Sequence, residues 1–402
     1  MLKRVGATAV VATAFAVIVA ATLGGTASAK VAKGSLCAKA GIGFAGPLSG
    51  GAAFLGDDQS NWVKLTLALE GDGALDPQKS ATVARQMVSH KNILGMIGFA
   101  GSNATLGGGP PLDQAHMPYV SGSATLDTLA TGAKGQKKLT YFYRVVPQNA
   151  QQARTGVPYI IKALKLKKGD KVMVVDDGEA YGIGLSDDAQ AAFKNHGLQV
   201  KRQSVKETDA NPGGSAGFAA DIQPVALQAA SGGYKLVYAP SQDATDSQTF
   251  TEDLKTDGYH GGFMATDGSV SPTQFKFPGA YLSFFGPSIT NITKSFRTAY
   301  IKAYGSKSAS DPFGAPSFVA TQMLAVAISK ECAKVHGKLP ANIKSARTAV
   351  AKQLKTVKAS TTILGYSMAF NNKADAYHGP DAGVTVFHIQ PNGSYKQVYP
   401  KK

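Results

Sequence analysis

Short apolar runs alternate with longer stretches of helical period through most of the chain, the pattern of strands joined by helices in parallel sheets. Strands are expected at Gly41–Ala45, Leu94–Phe99 and Pro118–Ser121, and Lys64-Leu-Thr-Leu-Ala-Leu69 reads as another. Asp76-Pro77 introduces a helix over Ser80–Ser89, with proline near the start, where its missing N–H costs least. The glycine-rich Leu106-Gly-Gly-Gly-Pro-Pro reads as an irregular connection into a short helix. A second block opens after Tyr141-Phe-Tyr-Arg-Val-Val-Pro147. It has helices over Ala150–Leu164 and Ser186–Asn195, and strands at Lys171–Val175, Leu198–Arg202, Lys235–Ala239, Gly262–Asp267 and Tyr281–Phe285. Helices over Lys294–Tyr304, Phe318–Val335 and Ala341–Lys355 follow, and the chain closes on a hairpin from Val384 through the turn-forming Asn392-Gly393 to Tyr399. Each block has its own strand and helix alternation. The 402 residues are also more than one core usually serves, so two α/β domains are expected.

One pentapeptide recurs within this frame. Ile42-Gly43-Phe44-Ala45-Gly46 returns as Ile97-Gly98-Phe99-Ala100-Gly101, each copy ending an apolar run and opening onto small or hydroxyl residues. Both read as strand ends turning into helices. Glycine permits the sharp turn, and the unpaired N–H groups of a helix's first turn suit a carboxylate. Ligands of open parallel sheets sit beyond the carboxyl ends of the strands, so two such turns in one unit point to one anion-friendly cleft.

The first residues belong to another process. Lys3 and Arg4, an apolar stretch from about Val10 to Leu23 and then Ala27-Ser28-Ala29 form a secretory leader with an A-x-A cleavage site after Ala29, which implies an exported protein. The apolar stretch is short and alanine-rich for a membrane anchor, and Leu36 before Cys37 argues against a lipid-modified cysteine. The net charge of +16 is scattered in short clusters such as Lys165-Leu166-Lys167-Lys168; without a basic stripe interleaved with aromatics, nucleic-acid binding is not expected. Two cysteines in an exported chain, Cys37 and Cys332, favour one disulfide, with two buried free thiols as the alternative. Neither has a histidine or second cysteine at ligand spacing, so no metal is expected.

At several places the chain resembles a type I periplasmic substrate-binding protein of an ABC transporter, of the branched-chain amino-acid (Leu/Ile/Val) subfamily. The resemblance rests on Gly46-Pro-Leu-Ser-Gly50 with Leu55-Gly-Asp57, Asp76-Pro77, Ile97-Gly98 to Thr105, Ser121-Gly-Ser-Ala-Thr125, Asp176 to Tyr181-Gly182, and Phe370-Asn-Asn, in family order across nearly the whole chain after the leader. It implies an α/β two-lobe fold, each lobe a mostly parallel sheet flanked by helices, with three crossover strands at the hinge near Val146, Phe285 and Gly383. With 1–29 as signal peptide, lobe 1 covers 38–146 and 286–383, and lobe 2 covers 147–285 and 384–402. The roughly twenty residues between Gly56 and Asp76 are fewer than the family usually has there, which shortens the first helix.

The same resemblance implies the ligand contacts. Ser102 binds an α-carboxylate, Thr125 contacts the polar head of the ligand, and Ser123 and Ala124 add backbone groups. Asp267 takes the ammonium, and Tyr181 covers the ligand. A zwitterion needs such donors on one side and an acid on the other, whereas the same hydroxyls could simply cap helices. The specificity positions diverge from branched-chain binders: Leu55 stands in the first loop and the polar Gln242 after Tyr238-Ala-Pro-Ser, so an amide or polar amino acid fits as well as leucine. The implied protein binds a small zwitterionic or amide ligand between its lobes as a monomer, uses no cofactor, catalyses nothing and hands its ligand to an ABC permease; a sensor feeding a regulator is the alternative.

Enzyme signatures are weak. Gly213-Gly-Ser215-Ala-Gly217 fits G-x-S-x-G, but a nucleophile elbow needs a buried strand immediately before it, and Glu207-Thr-Asp-Ala-Asn-Pro212 is polar and strand-breaking. A secreted hydrolase using Ser215 is therefore the least favoured reading. Asp57-Asp58, Asp176-Asp177 and Asp187-Asp188 read as turn and helix-start residues rather than catalytic pairs.

Overall fold

The computed structural model describes residues 3–4, 37–49, 53, 55–56, 59–60, 67–72, 75–133, 135–205, 215–286, 292, 294–304, 313–360, 362–370 and 383–400. The leader stretch from Val10 to Ala29, Asp57-Asp58, Lys64–Thr66, Gly213-Gly214 and Asn371-Asn372 lie outside them. The chain divides into two compact units, one of Met1–Ser49, Leu55–Val146 and Ile289–Ala382, the other of Gly50–Phe54, Pro147–Ser288 and Gly383–Lys402.

The first unit is built on strands β1 (Lys3–Arg4), β2 (Gly41–Gly46), β3 (Leu67–Asp72), β4 (Ile93–Ile97), β5 (Tyr119–Ser121) and β6 (Phe142–Arg144). They lie in the order β1-β3-β2-β4-β5-β6, parallel throughout except for β1. Strands buried on both faces read as unbroken apolar runs, which is why β4 was visible in the sequence. Helices α1 (Pro77–Ser89), α2 (Ser102–Gln114), α3 (Thr128–Thr131), α8 (Lys294–Tyr304), α9 (Gly314–Lys334) and α10 (Ile343–Leu354) complete this unit. Its core packs Phe44, Leu94, Ile97, Val120 and Tyr143 against Phe318, Met323 and Leu324 of α9 and Val350 and Leu354 of α10.

The second unit has β7 (Lys171–Asp176), β8 (Gln199–Ser204), β9 (Leu236–Ala239), β10 (Gly262–Ala265) and β11 (Tyr281–Phe284), all parallel, then β14 (Thr385–Ile389) and β15 (Tyr395–Tyr399) antiparallel, in the order β15-β14-β11-β10-β9-β7-β8. A short pair, β12 (Lys358–Ala359) and β13 (Met368–Ala369), belongs to the first unit. Helices α4 (Asn149–Ala163), α5 (Ala180–Asn195), α6 (Ser215–Ser231) and α7 (Ala244–Thr256) accompany the larger sheet. Val172, Val174, Leu236, Tyr238 and Met264 pack here against Val157 and Ile160 of α4 and Leu185 and Phe193 of α5.

The structure corrects the sequence reading at several points. The Gly-Gly-Gly-Pro-Pro segment is not an irregular connection but lies inside α2, a helix of 13 residues. Its glycines are there for close approach: a Cβ at Gly107 would meet the Pro77 backbone at the start of α1, and one at Gly108 the ring of Phe99. Of Lys64–Leu69 only Leu67–Leu69 falls in a described strand, which continues to Asp72. Helix α5 begins at Ala180 rather than Ser186 and α9 at Gly314 rather than Phe318, and α6, from Ser215, has no counterpart among the helices expected above. The strand expected to end at Asp267 stops at Ala265, because Asp267–Ser269 form a single 3-10 turn. Helix α7 had no counterpart among the expected elements.

The two copies of the pentapeptide differ as well. The first lies wholly within β2, whereas β4 ends at Ile97, and Gly98 turns the chain with φ +121° where a Cβ would collide with the Ala45 carbonyl. Only the second copy leads directly into a described helix, α2.

Cys37, in the one-turn segment Cys37–Lys39 before β2, is bonded to Cys332 near the end of α9, 295 residues away in sequence. Intact-mass analysis of the exported protein after denaturing alkylation is expected to show no labelled thiol before reduction and two after it. Two labelled thiols without reduction would rule the bond out.

Candidate functional site

In the first unit the candidate residues gather at the carboxyl ends of β4 and β5. Ser121, the last residue of β5, donates its hydroxyl to the Phe99 carbonyl (2.6 Å) and accepts the N–H groups of Ser123 (3.2 Å) and Ala124 (2.9 Å). This is the local side chain to backbone bonding by which serine fixes a turn. Ser102, at the start of α2, accepts the N–H of Leu126 through its hydroxyl (3.2 Å), and the Gln59 amide donates to the Ser123 hydroxyl (2.8 Å). From below, Arg144 of β6 donates through Nη1 to the carbonyls of Ala124 (3.2 Å) and Leu126 (2.8 Å). Its side chain is fully buried, and its guanidinium carbon stands 5.6 Å from the Phe142 ring centroid. The Ser123–Leu126 loop is thus held on every side, yet the hydroxyl of Thr125 is buried without a hydrogen-bond partner. A buried polar atom left in this state needs an explanation, and a ligand group is one.

In the second unit the carboxyl end of β10 leads into Asp267. Tyr181, in the first turn of α5, donates its phenol toward Asp267 Oδ1 and stands 2.7 Å from the Thr266 hydroxyl. Burial pushes the Asp267 carboxyl up to about 6, with hydrogen bonds from Tyr181 and Gln152 pulling weakly the other way. Burial, and then the neighbouring Asp267, hold the Tyr181 phenol well above its ordinary range, so it remains a donor. Around this pair the side-chain carbonyls of Asn149 and Gln152 are buried without partners, while the Gln152 amide donates to the Ser283 hydroxyl (2.9 Å). Such an acceptor-rich set suits a group with several N–H donors.

The paired acids divide by role. Asp176 binds Arg202 (2.6 Å) and accepts from the Ser204 hydroxyl (2.8 Å), and Asp187 holds the same guanidinium (2.7 Å). Asp177 turns inward, accepting the N–H of Glu179 (3.0 Å) on one oxygen and that of Gln242 (2.9 Å) on the other, and burial pushes it up to about 7. It thereby ties the loop after β7 to the loop after β9 that carries Gln242.

The structure therefore brings Ser102 together with Ser123, Ala124 and Thr125, and Tyr181 with Asp267; Leu55 is buried in the first unit, and Gln242 is half-buried in the second. Arg144, Asn149 and Gln152 were missed by sequence reasoning. Asp177 was read as a turn and helix-start residue, which its bond from the Glu179 N–H just before α5 agrees with, but not as the tie to Gln242. Arg144 and Asp177 carried a signal, a charge at the end of an apolar run; Asn149 and Gln152 carried none. Between the end of β8 at Ser204 and the start of α6 at Ser215 lie ten residues, so Ser215 does not sit on the tight strand-to-helix turn of a nucleophile elbow. Among the described residues no group of three or more His, Cys, Asp or Glu side chains could hold a metal ion, and no helix is long and apolar enough to cross a membrane.

Two mostly parallel sheets with polar clusters at their strand ends define the class of two-lobed α/β binding proteins of the type I periplasmic fold, and comparison with known proteins agrees. The model of the periplasmic binding protein family matches residues 40–394. Leu/Ile/Val-binding protein homolog 7 of Brucella suis biovar 1 is 24% identical over 392 residues, covering 89% of each chain. The crystal structure of the leucine binding protein LivK of Thermotoga maritima superposes with a TM-score of 0.72 at 19% identity, covering 89% of this chain and 97% of that one. A fatty acid ABC transporter substrate-binding protein of Thermomonospora curvata gives a TM-score of 0.67 at 17% identity, covering 89% and 90%. The chain belongs to the periplasmic binding protein family.

Proposed function

We propose that this protein is an extracytoplasmic solute receptor that captures a small amino-acid-like or amide ligand and delivers it to an ABC permease, without catalysing a reaction. The observation that carries the ligand class is the buried Asp267, bonded by the Tyr181 phenol and by Gln152, with unpartnered side-chain carbonyls on Gln152 and on Asn149 beside Tyr181. An acid in that setting is matched by an ammonium or by amide N–H groups. Ser102 and the unpartnered Thr125 hydroxyl supply donors for a carboxylate or carbonyl, and the half-buried Gln242 and the buried Leu55 set the preference for the tail. The name of the Brucella relative supports this class, while the fatty acid relative of the same fold is the reason it must be tested. In this reading the protein acts as a monomer outside the cytoplasm after cleavage behind Ala29, with lobe 1 formed by 38–146 and 286–383 and lobe 2 by 147–285 and 384–402. Cleavage there removes β1 and leaves β3 at the sheet edge.

A ligand at a hundredfold excess over Kd stabilises the form that binds it by about 2.7 kcal/mol. A thermal-shift screen of protein freed of co-purified solute is therefore expected to show a rise of a few degrees. Small polar amino acids or amides should respond most strongly, with leucine, isoleucine and valine next. A folded sample that answers only to fatty acids, or to none of these classes, overturns the ligand assignment.

A further inference from the structure

On the first unit, away from the strand ends that carry Ser102 and Thr125, α9, α10 and the segment after α2 line an open cavity of about 420 Å³. Its walls include Lys334, Lys344, Lys352, His116, Thr348 and Glu331. Lys344, Thr348 and Lys352 fall at i, i+4 and i+8 of α10 and so share one face of that helix. Glu331 is the sole acid in this wall and is already engaged: it accepts from the Gln353 amide (2.8 Å) and has Lys334 at 3.8 Å. Lys344 and Lys352 have no carboxylate partner among the described residues. The His116 ring is fixed in place, with Nδ1 3.0 Å from the Thr348 hydroxyl and the ring stacked 5.2 Å from Tyr141. The Thr348 hydroxyl also donates to the Lys344 carbonyl (2.8 Å) and lies 3.3 Å from the Tyr141 hydroxyl, so this part of the wall is fixed.

We propose that this cavity binds a multivalent oxyanion of the phosphate class, independently of the solute site. A concave wall carrying two lysines without a carboxylate partner, Lys344 and Lys352, beside the Lys334–Glu331 pair focuses positive potential. Lysine ammonium groups act as mobile point charges for phosphate, and the volume is that of a small-ligand site rather than of a flat protein-docking face. The chemistry is the same for a free anion and for an anionic lipid headgroup, and two titrations separate these sources.

The full chain is titrated calorimetrically with inorganic pyrophosphate at low ionic strength, and by co-sedimentation with phosphatidylcholine vesicles with and without phosphatidylglycerol. The comparison is the Lys344→Gln/Lys352→Gln double variant, with Lys165→Gln/Lys168→Gln in the second unit as the charge-matched control. Unchanged melting shows that each variant is folded. Pyrophosphate binding that falls at least tenfold in the double variant, persists in the control and weakens with added salt supports a site for the free anion. Binding confined to phosphatidylglycerol vesicles and lost only in the double variant supports the same chemistry on a headgroup. Absence of both, or equal loss in the control, overturns the proposal, and because no solute ligand enters the assay, either result leaves the solute reading untouched.

Discussion

Replacing Asp267 with alanine is expected to abolish or greatly weaken solute binding while the fold persists. The side chain is 4% exposed, and a ligand ammonium buried against it without its charge loses on the order of 3–5 kcal/mol, about two to four decades in affinity. The effect also has a pH signature. Burial raises the Asp267 carboxyl to about 6, so the acid pairs with a cation only above that value, and affinity should fall as pH drops below about 6. Stability of the unliganded protein runs the other way. Between the unfolded carboxylate range near 3.8 and about 6 the folded state holds the extra proton, so this group's destabilising contribution is complete above about 6 and fades on acidification. Asp177, raised to about 7 by burial, adds a contribution of the same sign over a window reaching somewhat higher. Calorimetric titration of the best solute from the thermal screen, at steps from pH 5 to 8, checks the first statement, and urea unfolding of the unliganded protein from pH 4 to 7 checks the second. Wild-type affinity in Asp267→Ala, or an affinity that rises on acidification, would sink the assignment.

The parts of this molecule that were legible in the sequence are those where burial dictates composition. Strands β4, β7, β9 and β11 are buried nearly end to end and therefore read as apolar runs. Helix α1 announced itself by its cap, since the Asp76 carboxylate accepts the Lys79 N–H at 2.7 Å and Pro77 follows. Helix α7 stayed hidden because its buried face is largely made of Ala244, Ser247 and Thr251 beside Phe250 and Leu254, too polar a stripe to show helical period. Helix α2 was expected to open after Gly101, but its course through Gly107–Pro111 stayed hidden for the opposite reason: glycines usually punctuate, but here they let α1 and the Phe99 ring come close. Of the candidate site, Tyr181 and Asp267 were reached through family order and prove to be bonded to each other. The acceptors Asn149 and Gln152 were out of reach, because polar residues opening a helix carry no mark that says they face an acid.

Arg144 carried a signal that went unused, a charge at the end of an apolar run, and its removal has the second large expected effect. The arginine closing Tyr141-Phe-Tyr-Arg is fully buried against the Ser123–Leu126 loop. Arg144→Met keeps much of the stem's packing but leaves the Ala124 and Leu126 carbonyls without this donor. Each buried acceptor so abandoned costs about 1–3 kcal/mol, which puts the loss for the pair at roughly 2–6 kcal/mol. In urea the transition of the first unit should move to lower denaturant by that amount, with its slope little changed. The same loop carries Thr125, so solute affinity should fall as well, even at concentrations where the variant remains folded. Arg144→Lys should recover part of both, because an ammonium can reach one carbonyl but lacks the planar fork that serves two at once. An unchanged denaturation midpoint in Arg144→Met would show that the loop stands without the guanidinium. A destabilised variant that binds solute with wild-type affinity would show that the Thr125 loop is no part of the site.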